Sequence, residues 1–323
     1  MGAGAVGRYL GEALRGAGCD VVYAPRRAQN VTPLAADLAI VAVKAFDTDA
    51  AIETLRQALP GDSDATILTP QNGIGNEERL AAAFDADRIV SGALTVPVEV
   101  AADGTIVAAN RGGLALAPVG SVPHNWLFAT FEHTSVPAAI AGDYRAMKWS
   151  KLALNIIANA SCAILDVLPE RLVRYEGVFE LELRAIREAQ AVMAAARLTP
   201  IDLPRYPVRA LFALARLPAP VARMVLARRI AGARGQKPPS LLLDLRSGKG
   251  RTEIDALNGA IAAAGAALGI ATPVNSTYAR VLSAITRDPE LRDTYRERPN
   301  TLLAAVAESG RGGRGADHRR SEE

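Results

Sequence analysis

The chain has 323 residues, half of them apolar, which is enough to bury the cores of two ordinary domains. A formal net charge of +3 gives no reason to expect a nucleic-acid partner, and suits anionic small molecules only where the charge is concentrated locally. The two cysteines, Cys19 and Cys162, form no CxxC pair, and three histidines (His124, His133, His318) are too few for a His-based metal centre, so neither a disulfide framework nor a metal is expected.

Met1 is followed at once by a glycine-rich turn rather than by a charged and then apolar leader. The apolar runs are broken before they reach the roughly 20 residues of a membrane span. A cytoplasmic protein without a membrane partner is the expectation.

In chain order, Gly2-Ala3-Gly4-Ala5-Val6-Gly7 opens a helix predicted to run to about Ala17, and Asp20–Ala24 reads as a short strand. Leu38–Val43 is a continuous apolar run, the pattern of a strand buried on both faces. A helix over Asp47–Leu59, a strand over Ala65–Thr69, a turn over Pro70-Gln71-Asn72-Gly73-Ile74-Gly75 and a helix over Glu77–Phe84 follow. Arg88–Val96, Gly104–Ala109 and Gly113–Ala117 read as further strands. This alternation predicts a doubly wound α/β sheet over residues 1–140.

From Asp143 the pattern turns helical, with blocks at Asp143–Ala163, Tyr175–Ala196 and Thr252–Leu268, a break at Pro273 and more helix to about Thr286. An all-α domain is predicted over 141–306, with a disordered Gly/Arg/Glu-rich tail over 307–323. Leu203–Leu243 holds eight Arg or Lys residues and no acidic ones, which fits a solvated helical face, an electrostatic lure for an anionic substrate or cofactor, or a membrane-surface contact. The apolar helical domain is compatible with a homodimer, but no sequence feature requires one.

The first six residues after Met1 match GxGxxG. In a nucleotide-binding fold that pattern gives a tight turn, a close approach of backbone to pyrophosphate, and phosphates at a helix N-terminus. A purely structural turn would read the same, but Val21-Val22-Tyr23 lies at the distance expected of the second strand of a Rossmann-type domain. Gly2, Ala3, Gly4, Ala5, Val6 and Gly7 are therefore candidate cofactor-binding residues. The strand that should precede the motif is missing, because only Met1 stands before Gly2. The stretch from Tyr23 to Leu38 is also too short for both a crossover helix and a third strand. Arg26 and Arg27 stand where an acidic residue would select the ribose of NAD, and arginine there suits the 2′-phosphate of NADP, unless both are simply loop residues in solvent. Lys44, at the end of the Leu38–Val43 run, is a second candidate phosphate or ribose contact.

Lys151, Asn155 and Asn159 recur at i, i+4 and i+8 among Leu152, Leu154, Ile156 and Ile157. Such a stripe is either an exposed helix face or a substrate site of one ammonium and two amides. Downstream, Ser240 precedes Gly250-Arg251-Thr252-Glu253-Ile254-Asp255, where Thr252 and Asp255 fit a helix capping box. Capping does not account for Glu253, which is either a surface acid favoured by the helix dipole or a site carboxylate.

Taken together, Gly2–Gly7, Val43-Lys44-Ala45, Gln71-Asn72-Gly73, Lys151–Asn159, Ser240–Gly259 and Gly269-Ile270-Ala271-Thr272-Pro273 resemble the ketopantoate reductase family, in the family's order and over nearly the whole chain. The resemblance implies a Rossmann domain followed by an all-helical domain, with the site in the cleft between them. It also implies NADPH-dependent reduction of 2-dehydropantoate to pantoate in pantothenate and coenzyme A biosynthesis. By the same resemblance Lys151 matches the catalytic lysine and Glu253 the substrate-binding carboxylate. Asn72, Asn155, Asn159 and Ser240 match polar residues around nicotinamide and substrate, and Gly2, Gly4, Gly7, Arg26 and Lys44 match NADPH-binding positions. Pro169 and Lys237 stand where the family often has further polar pocket residues. Two alternatives stay open: a reductase of another 2-keto or 3-hydroxy acid, and an NADP-binding sensor or interaction protein without turnover.

Overall fold

The computed structural model describes residues 1–24, 33–101, 103–232, 237–248 and 250–317. The chain divides into two compact units, Met1–Leu152 with Pro200–Val208, and Ala153–Thr199 with Arg209–Glu323.

The first unit is a sheet with helices on both faces. Its helices are α1 (Ala5–Gly16), α2 (Thr48–Ala58), α3 (Asn76–Ala81) and α4 (Asn125–Glu132). Its strands are β1 (Leu38–Ile40), β2 (Thr66–Thr69), β3 (Ile89–Leu94), β4 (Val98–Val100), β5 (Ile106–Ala108), β6 (Leu114–Pro118) and β7 (Ala138–Ile140). Five strands form one sheet in the order β1-β2-β3-β6-β7, parallel except at β3–β6, and β4 and β5 form a separate antiparallel pair. Successive residues of a strand point to opposite faces, so Ile67 and Ile89 pack with Ile52 and Leu55 of α2 and Leu80 of α3. Their neighbours Leu68 and Val90 pack with Leu10 and Leu14 of α1 and Leu127 and Phe131 of α4. Both faces are thereby buried, which accounts for the apolar runs without alternation.

Among the described residues β1 lies at an edge of the sheet, next to Met1. The Met1 amino group donates to the Ile40 carbonyl at 2.5 Å, and Ala42 N–H donates to the Met1 carbonyl at 2.9 Å. The strand predicted over Asp20–Ala24 is not formed, and those residues pair with no strand among the described residues. Instead Val21 packs on the core and accepts from Arg15 through its carbonyl, while Tyr23 lies under the Arg15 guanidinium. Arg26 and Arg27 lie outside the described residues. The strand expected over Leu38–Val43 ends at Ile40, and the chain then turns into a short 3-10 segment at Ala45–Asp47.

The second unit is helical. α5 (Tyr144–Ile156) crosses into it from the first unit; then come α6 (Ala160–Leu165), α7 (Pro169–Leu172), α8 (Glu176–Ala195), α9 (Val208–Arg216), α10 (Ala219–Gly232) and α11 (Ser240–Arg246). After these come α12 (Asn258–Ala267), α13 (Pro273–Arg287), α14 (Arg292–Tyr295) and α15 (Pro299–Asp317). Phe179, Ile186 and Val192 of α8 and Tyr278, Leu282 and Ile285 of α13 are among its buried residues. α15 extends into the segment read from the sequence as a tail. No helix of the described residues is long and apolar enough to cross a membrane.

Two local expectations are corrected. The block predicted as one helix over Asp143–Ala163 is broken: Ala158 has φ +48°, which ends α5 at Ile156, and Asn159 becomes the N-cap of α6. The Thr252–Asp255 capping box is not formed. Glu253 is itself the N-cap of a 3-10 turn, Ile254–Ala256, with no side-chain capping bond, and the α-helix starts only at Asn258.

Candidate active site

The glycine turn is shaped by backbone crowding. Gly2 has φ +82°, and a Cβ there would stand 2.7 Å from the carbonyl carbon and oxygen of Ala42. A Cβ on Gly7 would collide with the Gly2 carbonyl oxygen, so the first turn of α1 can close against the chain start only without a side chain. Gly4 is different: nothing lies within 4 Å of a Cβ built on it. α1 starts one residue later, with no acidic residue in its first turn and no side chain capping Gly4. The helix N-terminus therefore offers backbone N–H groups and a positive dipole end beside open space, the arrangement that suits a phosphate.

Two further loops of this unit carry candidate residues. Lys44, half-buried, caps the Ala45–Asp47 turn beyond β1. Asn72, also half-buried, lies in the Pro70–Gly75 turn after β2. The Asn72 carbonyl accepts from the Asn76 side chain at 3.1 Å. Gln71 is buried, donating to the Val43 carbonyl at 3.1 Å and to Thr48 Oγ1 at 2.9 Å, and accepting from Thr69 Oγ1 at 3.0 Å.

Lys151 sits on α5, half-buried, one turn before Asn155 on the same helix. Asn155 is 8% exposed and Asn159 is 1% exposed. The helical stripe expected over all three ends at Asn155. The Asn159 side chain instead turns back as a tie: it donates to the Asn155 carbonyl at 2.9 Å and to Ser240 Oγ at 3.1 Å, and accepts from Leu241 N–H at 3.0 Å. Both amide hydrogens of Asn159 are thus engaged within the second unit, and they register the end of α5 against the start of α11. Ser240 is the first residue of α11 and half-buried, while Glu253 is 5% exposed. A carboxylate so withdrawn from water is not the surface acid that one reading of the sequence allowed.

The break at Ala158 is held by a residue that sequence reasoning missed. Glu182 of α8, 1% exposed, accepts from the Ala158 N–H at 2.5 Å and from the Tyr278 hydroxyl at 3.1 Å. Burial raises its carboxyl pKa, opposed by those hydrogen bonds. The Tyr278 hydroxyl is pushed well up by burial and by the nearby Glu182 charge. In the first unit Lys148 and Glu77 form a buried ion pair, also not foreseen. In the basic stretch Arg223 pairs with Glu176, while Arg205, Arg209, Arg216, Arg228 and Arg229 are exposed and Arg234 lies outside the described residues.

Two family models match the chain: "Ketopantoate reductase PanE/ApbA" over residues 22–121 and "Ketopantoate reductase PanE/ApbA C terminal" over 143–286. Among curated relatives, a 2-dehydropantoate 2-reductase of Caulobacter vibrioides is 31% identical over 80% of this chain and 81% of its own length. One of Archaeoglobus fulgidus is 26% identical over 88% and 96%. The crystal structure of a PanE/ApbA family ketopantoate reductase from Ralstonia eutropha matches with TM-score 0.69 and 31% identity, covering 91% of this chain and 98% of that one. D-mandelate dehydrogenase in ternary complex with NADH and anilino(oxo)acetate shares the fold, with TM-score 0.73, 21% identity and coverage of 89% and 97%. With family models over residues 22–121 and 143–286, and with 80% of its length 31% identical to a relative, the chain belongs to the ketopantoate reductase family, oxidoreductases acting on a CH–OH group.

Proposed function

We propose that the protein reduces 2-dehydropantoate to pantoate with NADPH, the step that feeds pantothenate and coenzyme A biosynthesis. The observation that carries this reading is Lys151 with Asn155 one turn on along α5, and the burial of Glu253, taken by itself in the second unit, supports it. The curated relatives that carry the name 2-dehydropantoate 2-reductase support it.

The residues fit a dinucleotide. Gly4 leaves space where a side chain would otherwise stand, beside an uncapped helix N-terminus, and Lys44 and Asn72 lie on the loops that follow β1 and β2. Gly2 through Gly7 would hold the pyrophosphate. Arg26 and Arg27 would hold the 2′-phosphate that distinguishes NADPH, and Asn72 the nicotinamide side. The cofactor supplies the hydride.

The chain's own part is to receive the charge that develops on the ketone oxygen. An ammonium at Lys151 donates a hydrogen bond to that oxygen and then the proton, leaving a neutral amine that water reprotonates. Asn155 and Ser240 orient the keto acid without adding charge. Glu253 accepts from the substrate's hydroxyl. Asn159, bonded to Asn155, Ser240 and Leu241, acts by holding Asn155 and Ser240 in place.

The test is loss of reduced-nicotinamide absorbance on adding 2-dehydropantoate, with NADPH and NADH compared and a panel of other 2-keto acids alongside. Lys151→Ala is expected to lower kcat about 100-fold or more, in the range of general acid catalysis, with the fold intact. Full turnover by that variant overturns the assignment of Lys151. Bound NADPH without turnover of 2-dehydropantoate moves the reading to another keto acid, or to a protein that binds NADP without catalysis.

A further inference from the structure

Lys148 and Glu77 are both charged and both almost completely out of water, with side chains 3% and 1% exposed. Lys148 Nζ stands 3.0 Å from Glu77 Oε1 and also donates to the Gln71 carbonyl. Ser91 Oγ of β3 donates to the same Glu77 oxygen at 2.7 Å. The pair is one end of a longer buried network. Gln71 bonds the Val43 carbonyl, immediately before Lys44, and Thr48 Oγ1. Thr48 Oγ1 donates to Asn76 Oδ1 at 3.0 Å, and Asn76 bonds the Asn72 carbonyl. All these residues belong to the first unit.

The network therefore touches the carbonyls on both sides of the Asn72 Cα, the residue before Lys44, and a side chain of α5 one turn ahead of Lys151. Stability alone is a poor reason for it. Taking two ions out of water costs several kcal/mol each, and a well-packed apolar pair of similar volume is often at least as stable. A lysine does here what an apolar side chain cannot: it hydrogen-bonds the Gln71 carbonyl and so sets α5 in one register against the turn carrying Asn72.

We propose that the Lys148–Glu77 pair is a positioning device that holds Lys151 in register with the Asn72 turn and the Lys44 loop. The inference rests on the reading of Lys151 as the proton donor. Lys148 touches neither substrate nor cofactor; it acts through α5. A displacement of about 1 Å at the reacting groups can cost about 100-fold in rate, and that sets the size of the expected effect.

The experiment is a kinetic cycle on the full chain with Lys148→Met, Lys151→Ala and the double variant, with NADPH affinity read separately by its fluorescence. Lys148→Met is expected to lower kcat about 10- to 100-fold with little change in the Kd for NADPH. In the Lys151→Ala background the same substitution is expected to lower kcat less than 2-fold, since the group it positions is gone. Equal losses in both backgrounds would mean only that the fold is weakened, and would overturn the proposal, as would unchanged kcat in Lys148→Met. If Lys148→Met does not fold, Glu77→Gln, which keeps the shape and one acceptor, takes its place in the cycle with the same expected non-additivity. Full turnover in Lys151→Ala alone condemns the reading of Lys151 and not the pair.

Discussion

Glu182 allows a prediction worked directly from contacts. Its two carboxyl oxygens serve different buried donors, Oε2 the Ala158 N–H and Oε1 the Tyr278 hydroxyl. Glu182→Leu leaves both donors without an acceptor. Each buried unsatisfied donor costs about 1–3 kcal/mol, partly offset because a buried carboxyl is itself removed, for a net loss of about 2–4 kcal/mol. At about 2–4 °C per kcal/mol, the apparent Tm falls by roughly 4–16 °C. Glu182→Gln keeps one carbonyl oxygen and turns an amide hydrogen toward the second donor, so it should fall between Leu and the wild type. The pH dependence has a definite sign. The folded Glu182 carboxyl titrates above its unfolded value, so the folded state binds the extra proton. The stability this contributes is full below about pH 4, the ordinary Glu range, and is lost as pH rises through the raised folded value. The gap between wild type and Gln should therefore narrow as pH rises. The assay is thermal unfolding followed by far-ultraviolet circular dichroism from pH 4 to pH 9. A Leu variant that melts with the wild type at every pH refutes the account of Glu182 as the acceptor that holds the Ala158 break.

Gly7→Ala forces a Cβ into the Gly2 carbonyl and should weaken NADPH binding at least about 10-fold, measured by fluorescence titration, with secondary structure retained. Asn159→Ala removes three hydrogen bonds that register Asn155 with Ser240; a rise of about 10-fold or more in KM for the keto acid and a loss of about 1–3 kcal/mol in chemical denaturation are expected. Asp166, with φ +53°, is paired with Arg246, Arg292 and Arg296. Burial raises its carboxyl pKa, but the hydrogen bonds and charges of Arg246 and Arg292 outweigh this and bring it below the ordinary value. Its contribution is therefore present above about pH 4 and lost as pH falls through the lowered folded value. Asp166→Asn, which tolerates the left-handed backbone, should cost about 1–3 kcal/mol at neutral pH and converge with the wild type in acid.

Much of this was legible in the sequence because it is local. GxGxxG opening a helical stretch announced α1, and the crowding at Gly2 and Gly7 is the physical content of that spelling. The apolar runs announced β2, β3 and β6, since strands covered on both faces need no polar alternation. Lys151 and Asn155 were legible because one turn of helix puts them together whatever surrounds them. The strand at Asp20–Ala24 was read from its apolar residues and their distance from the glycine motif, and neither supplies a ladder partner. β4, β7 and α4 were not foreseen, being short segments whose state is decided by what they pack on.

The sequence by itself determined the family and the succession of an α/β half and a helical half, because motif spacing and apolar patterning are written along the chain. Only the tertiary structure decided that Asn159 leaves the helix and ties Asn155 to Ser240, that Glu182 holds the break before it, and that Lys148 meets Glu77 across 71 positions. Those are pairings between segments far apart in the chain. A buried polar side chain has its role set by whichever partner the fold delivers to it, and that partner is written nowhere near it in the sequence.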